Sequence, residues 1–167
     1  TANINDQYPV ESKKLLLKII EKSNSDDLRK NAQNVLNIIE RLDDYITLWK
    51  LSGPYVNEEV NIFDHPFAPE NPDAKDVSWT IMPEKSDENN YWYLDLRKVL
   101  GGFDRVAYLR TRVWSDNEQS VLLEMGSNDG LKAWLNDAVI HVNDANRGAT
   151  PGDDVVEVTL NSGWNVL

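Results

Sequence analysis

The chain has no cysteine. That excludes a disulfide framework and any metal site built on thiolates. It does not choose a compartment, because many large exported bacterial proteins also lack cysteine. No apolar run approaches the length needed to cross a bilayer, and no membrane span is expected. The opening stretch, TANINDQYPV, has neither the basic nor the apolar region of a signal peptide; either there was none or it was removed. Phosphate-cradling loops of the G-x-G-x-x-G and Walker A kinds are missing, and so is G-x-S-x-G. The two histidines, His65 and His141, have no H-E-x-x-H or H-x-H spacing, so a catalytic zinc is not expected. Internal repeats and low-complexity segments are absent as well.

What is present is acidic. Of 167 residues, 17 are basic and 28 acidic, for a formal charge of -11. The excess is uneven. Residues 1–46 hold 7 basic and 8 acidic side chains, net -1, which leaves 10 and 20, net -10, for residues 47–167. An acidic C-terminal part repels a phosphate backbone, which argues against nucleic acid as a partner. Solubility is the plain reading of this charge; cation binding is the other.

The first segment reads as helical. ESKKLLLKIIEK puts Leu15, Leu16, Ile19 and Ile20 on one face. DDLRKNAQNVLNIIERL repeats the device with Leu28, Ala32, Val35, Leu36 and Ile39. SNSDD between them supplies a cap and acidic groups for the second helix. The expectation is a hairpin of helices over about 10–22 and 26–43 within a unit at 1–44. It is too small to bury its apolar face alone, so it should pack on the next domain or on something outside this chain.

From Tyr45 the pattern changes. ITLWKLSGPY is β-like and closed by Gly-Pro, and the proline-rich NIFDHPFAPENPDAKD is an extended loop. Short β-prone runs follow: VSWTI, YWYLDL, RVAYLRTRVW, SVLLEMG, LKAWL, AVIHV, VVEVTL and WNVL. Turn signals separate them, among them Gly101-Gly102, Asn128-Asp129-Gly130, Asn136-Asp137 and Ser162-Gly163. Asn128-Asp129-Gly130 reads as a hairpin joining SVLLEM to LKAWL, and Asn136-Asp137 as one joining LKAWL to AVIHV, which would make a three-stranded meander. Leu131, Ala133 and Leu135 form its core face. Many short strands without strand–helix alternation indicate a mainly β fold, an antiparallel jelly-roll sandwich over 45–167 after the helical hairpin.

SNDGLKAWLNDAVIH, a polar loop, and then VVEVTLNSGWNVL resemble the galactose-binding-domain-like β-sandwich modules. YITLWKLSGPY and FDHPFAPE resemble their entry segment. The resemblance covers about residues 45–167 and, weakly, the hairpin; it rests on several motifs in order rather than on any one. Asn136-Asp137 stands where the family usually has Asn-Gly, and the last strand stops at Leu167, short of the expected apolar residues. The resemblance implies an accessory module of a large, bacterial, often secreted multidomain protein. Its partners would be a carbohydrate and a neighbouring catalytic domain of the same polypeptide, and its place extracellular, periplasmic or at the cell surface. Modules of this type often hold a structural Ca2+, but no aspartate spacing here places one.

A sugar site needs directional hydrogen bonds and a flat aromatic surface. The loop from His141 to Asp154 carries that chemistry in His141, Asn143, Asp144, Asn146 and Arg147. The bland reading is that its Asx residues cap turns and Arg147 pairs with an acidic neighbour. Among six tryptophans, most belong in a core; Trp92 and Trp114 are the stacking candidates. Paired carboxylates could serve a glycosidase, but with 28 acidic residues some pair is always near. The expected function is therefore a non-catalytic carbohydrate-binding accessory module. A structural spacer without sugar binding is the alternative, and a glycoside hydrolase or lyase comes third.

Overall fold

The computed structural model describes residues 3–4, 10–42, 45–58, 61–82 and 93–167. It is a sheet-rich fold of small antiparallel sheets behind two N-terminal helices.

Helices α1 (Val10–Lys22) and α2 (Asp26–Leu42) pack on each other. The stop between them is chemical. Ser25 Oγ accepts from the Leu28 amide at 3.3 Å, an N-cap bond, and Asp26 and Asp27 place negative charge in the first turn of α2. Ala32, Leu36 and Ile39 are buried. Leu28 and Val35, expected on the same face, are instead 49% and 45% exposed. At 100° per residue they lie on the flank of the stripe, which α1 does not cover.

Strand β1 (Asn3–Ile4) pairs with β5 (Arg112–Ser115), whose other neighbour is β10 (Gly163–Val166). Strand β2 (Lys50–Tyr55) lies between β3 (Thr80–Ile81) and β4 (Val106–Arg110). β2 runs through Gly53-Pro54 instead of ending there. Proline has no N–H for the ladder, and the pairing with β4 shifts register between Ser52 and Tyr55. The run RVAYLRTRVW is not one strand. It breaks at buried Thr111, whose N–H and C=O both pair with Leu167, so β4 and β5 serve different sheets. In the expected strand YWYLDL, Tyr91 and Trp92 lie outside the described residues. Its end is helical: Asp95 Oδ1 accepts from the Lys98 amide at 2.8 Å and caps α3 (Leu96–Leu100).

The meander is not formed. β6 (Gln119–Met125) pairs along its whole length with β9 (Asp154–Leu160), while β7 (Leu131–Leu135) pairs with β8 (Ala138–Asn143). The turn at Asn128-Asp129-Gly130 is real, with Asp129 at φ 63°. It joins strands of two sheets because its amide bond goes elsewhere, from Asp129 N–H to the Arg147 carbonyl at 2.9 Å. Asn136-Asp137 does close a two-residue hairpin. Both residues have positive φ, 49° and 66°, as a type I′ turn requires. In β8 one extra residue, Ile140, lies opposite the Ala133–Trp134 step, a β-bulge.

The core of the sheets is Val113, Leu135, Val158 and Leu160, flanked by Ile46, Val121, Leu123, Ile140, Val156 and Leu167. Ala133 is buried with them in β7, and Leu131 is half-buried. No helix among the described residues is long and apolar enough to cross a membrane.

Candidate functional site

The loop from His141 to Asp154 is organised around one carboxylate. Asp154 opens β9 with only 4% of its side chain exposed. Arg147 Nη2 donates to its Oδ2, and Asn143 Nδ2 to its Oδ1 at 2.8 Å. His141 Nε2, closed off from solvent, stands 3.0 Å from Oδ1 without the alignment of a hydrogen bond. Arg147 also donates to Ser127 Oγ at 3.0 Å, and Ser127 in turn donates to the Asp129 carbonyl at 2.7 Å. The loop is thereby tied to the Asn128-Asp129-Gly130 turn.

The electrostatics follow from these bonds. The Arg147 hydrogen bond draws the Asp154 pKa down from 3.8 to about 2; burial opposes the shift, and Asn143 and His141 add to it. The same hydrogen bond raises the Arg147 pKa. An ion pair with both partners engaged is a brace. It offers neither an activated nucleophile nor a carboxylic acid ready to give up a proton near neutral pH.

The candidate residues from sequence are thus distributed unequally. His141, Asn143 and Arg147 converge on Asp154. Asp144 and Asn146 are exposed and line a broad cleft of about 2610 Å3. That is well above the size of an ordinary small-ligand pocket, roughly 300–1,000 Å3, so it does not outline one ligand. Trp92 lies outside the described residues. Trp114 stands apart from the loop, half-buried on β5.

Trp114 has a partner that sequence reasoning did not single out. Trp164 on β10 lies directly across the ladder, and the two rings meet edge to face, centroids 5.3 Å apart at 72°. Trp164 is 44% exposed. The indole N–H of Trp114 donates to Asp116 Oδ1 at 2.9 Å. Arg112, two residues before Trp114, shares that outward face, while Val113, Ser115 and Asn165 point inward and are buried. The alternation of β5 carried the signal: buried Val113 and Ser115 require Trp114 to face outward.

A second aromatic group reaches the cleft through Tyr108 and Trp134. Tyr108 on β4 meets Trp134 on β7 at 6.3 Å and Tyr55 at 5.5 Å, and Tyr55 meets Phe67 at 5.3 Å. Tyr108 O–H donates to Glu70, and burial together with that carboxylate raises its pKa. Lys132 Nζ sits 4.8 Å above the Phe63 ring, and a side chain on Gly130 would strike that ring. These rings chiefly satisfy one another and fasten the proline-rich loop to the sheets. Among the described residues no three His, Asp or Glu side chains gather as a metal site would need.

No family model, curated protein or solved structure matches this chain.

Proposed function

We propose that this chain is a non-catalytic carbohydrate-binding module of a larger polysaccharide-active protein, with its sheets arranged as a galactose-binding-like jelly roll. One observation carries the reading: the outward Trp114–Trp164 corner on a rigid antiparallel strand pair. A pyranose presents a C–H face to one indole and an edge to the other. The Asp116 carboxylate beside the corner accepts from sugar hydroxyls. The ladder holds both rings before the ligand arrives, so little ordering entropy is lost on binding.

Calorimetry of the chain against neutral, acidic and sulfated oligosaccharides, with Ca2+ and with chelator, tests this. Trp164→Ala is expected to weaken binding about tenfold or more while the fold persists, its melting midpoint lowered by only a few degrees, roughly, through loss of the contact with Trp114. Equal affinity in that variant would remove the corner from the site. Release of reducing ends by the isolated chain would overturn the non-catalytic assignment.

A second reading, a structural spacer packed against a neighbouring domain, is favoured by the loop at His141–Asp154. Its Arg147, Asn143 and His141 are turned onto Asp154 rather than presented outward. Flat heat traces across the whole panel would select the spacer.

A further inference from the structure

Most arginines of this chain are already engaged. Arg29 and Arg147 pair with carboxylates, and Arg105 Nη1 donates to the Leu100 carbonyl at 3.3 Å. Arg97 and Arg110 each stand 4.2 Å from the centre of an aromatic ring. Among the described side chains, Arg112 is the arginine with no carboxylate, carbonyl or ring to hold it, and it is exposed. Its cross-strand neighbour on β10 is Val166, which is apolar and leaves its charge unanswered.

That guanidinium has a specific place. Arg112 and Trp114 are two residues apart on β5 and share its outward face, about 7 Å apart along the strand. Two residues beyond Trp114 comes Asp116, whose Oδ1 accepts from the indole N–H at 2.9 Å. Trp164 stands across the ladder from Trp114. Charge is therefore ordered along the corner: a free cation on one side of the two indoles, a carboxylate on the other. We infer that the sugar taken by this corner carries a carboxylate, a uronic acid bound with its carboxyl group on Arg112; the inference rests on the carbohydrate-binding reading above. The carboxylate of a pyranose lies at the ring edge, so stacking on the indoles aims it along the strand. The planar guanidinium matches it with two parallel N–H donors. Asp116 repels the same group and fixes the direction, taking hydroxyls instead. The net -10 of residues 47–167 opposes a ligand charged along its length, so the uronate is a single one in an otherwise neutral chain.

Calorimetry with galacto-, gluco- and xylo-oligosaccharides bearing one uronate, each beside its carboxyl-reduced neutral counterpart, tests this. One uronate form is expected to bind about tenfold tighter than its neutral counterpart. Arg112→Gln should bring that ratio to about one with unchanged circular dichroism, since the side chain is exposed and unpartnered. Arg112→Lys should keep part of it, as a charge without the fork. Trp164→Ala should weaken both forms alike. Equal binding of the two forms, or a preference that survives Arg112→Gln, overturns the assignment and leaves the sugar-binding corner standing. Binding of neither form in any series overturns the corner itself, and the uronate with it.

Discussion

Asn165 shows how much one side chain can organise. It is fully buried, yet all of its hydrogen-bonding capacity is used. Oδ1 accepts from the Asn161 amide at 2.9 Å and from Asn136 Nδ2 at 2.8 Å; Nδ2 donates to the Asn161 and Gly163 carbonyls at 2.8 and 3.2 Å. It closes the turn before β10 and ties it to the β7–β8 turn, where Asn136 Oδ1 accepts from the Val166 amide. Asn165→Ala strands several buried polar groups, and chemical denaturation should show a loss of about 3 kcal/mol. Asp154 is the second such residue. Its pKa is held near 2 in the fold, below 3.8. The stability it contributes is therefore present above pH 4 and is lost as pH falls through 2. Thermal melts of the native chain should fall across that window. Asp154→Asn should melt roughly 5 °C lower at neutral pH and lose much of the acid-dependent step. An unchanged step would show that other carboxylates cause it.

Among elements, close approaches and turns decide which strands meet. Gly126 follows β6 where the Thr150 carbonyl occupies the place of a side chain. Gly126→Ala pushes the loop before β9 away and should cost about 2 kcal/mol. Gly148→Ala, with open space at that position, should stay within about 0.5 kcal/mol. Equal melting of the two variants would mean that this approach is not part of the fold. The Asn136-Asp137 hairpin offers the opposite test. Asp137 sits at φ 66°, a conformation glycine takes without penalty, so Asp137→Gly should stabilise by about 0.5 kcal/mol in denaturant unfolding.

At the scale of the whole molecule, net charge bears on the glycan binding proposed above. The Trp114–Trp164 corner belongs to the part of the chain, residues 47–167, that carries net -10. Neutral glycans are expected to bind with little salt dependence. Sulfated ones should bind weakly at low salt and gain as added salt screens the repulsion. Calorimetry at two ionic strengths reads this directly, and strong low-salt binding of sulfated chains would contradict it.

The local features were legible from residue order. The 3.6 period of Ala32, Leu36 and Ile39 marks α2, Ser25 with two aspartates marks its start, and Asn136-Asp137 marks a hairpin, because each depends on neighbours a few residues apart. Alternation likewise put Ala133 and Leu135 inward. Strand partners were not legible. β6 chose β9, some thirty residues on, over β7, and the β4–β5 run split at Thr111, because pairing depends on which buried faces meet in space. The same holds for the candidate sites. Sequence located the polar loop and Trp114 by residue type. Only the tertiary structure turned Arg147, Asn143 and His141 onto Asp154 and set Trp164 against Trp114, since a side chain's partner is decided by the fold and not by its place in the chain.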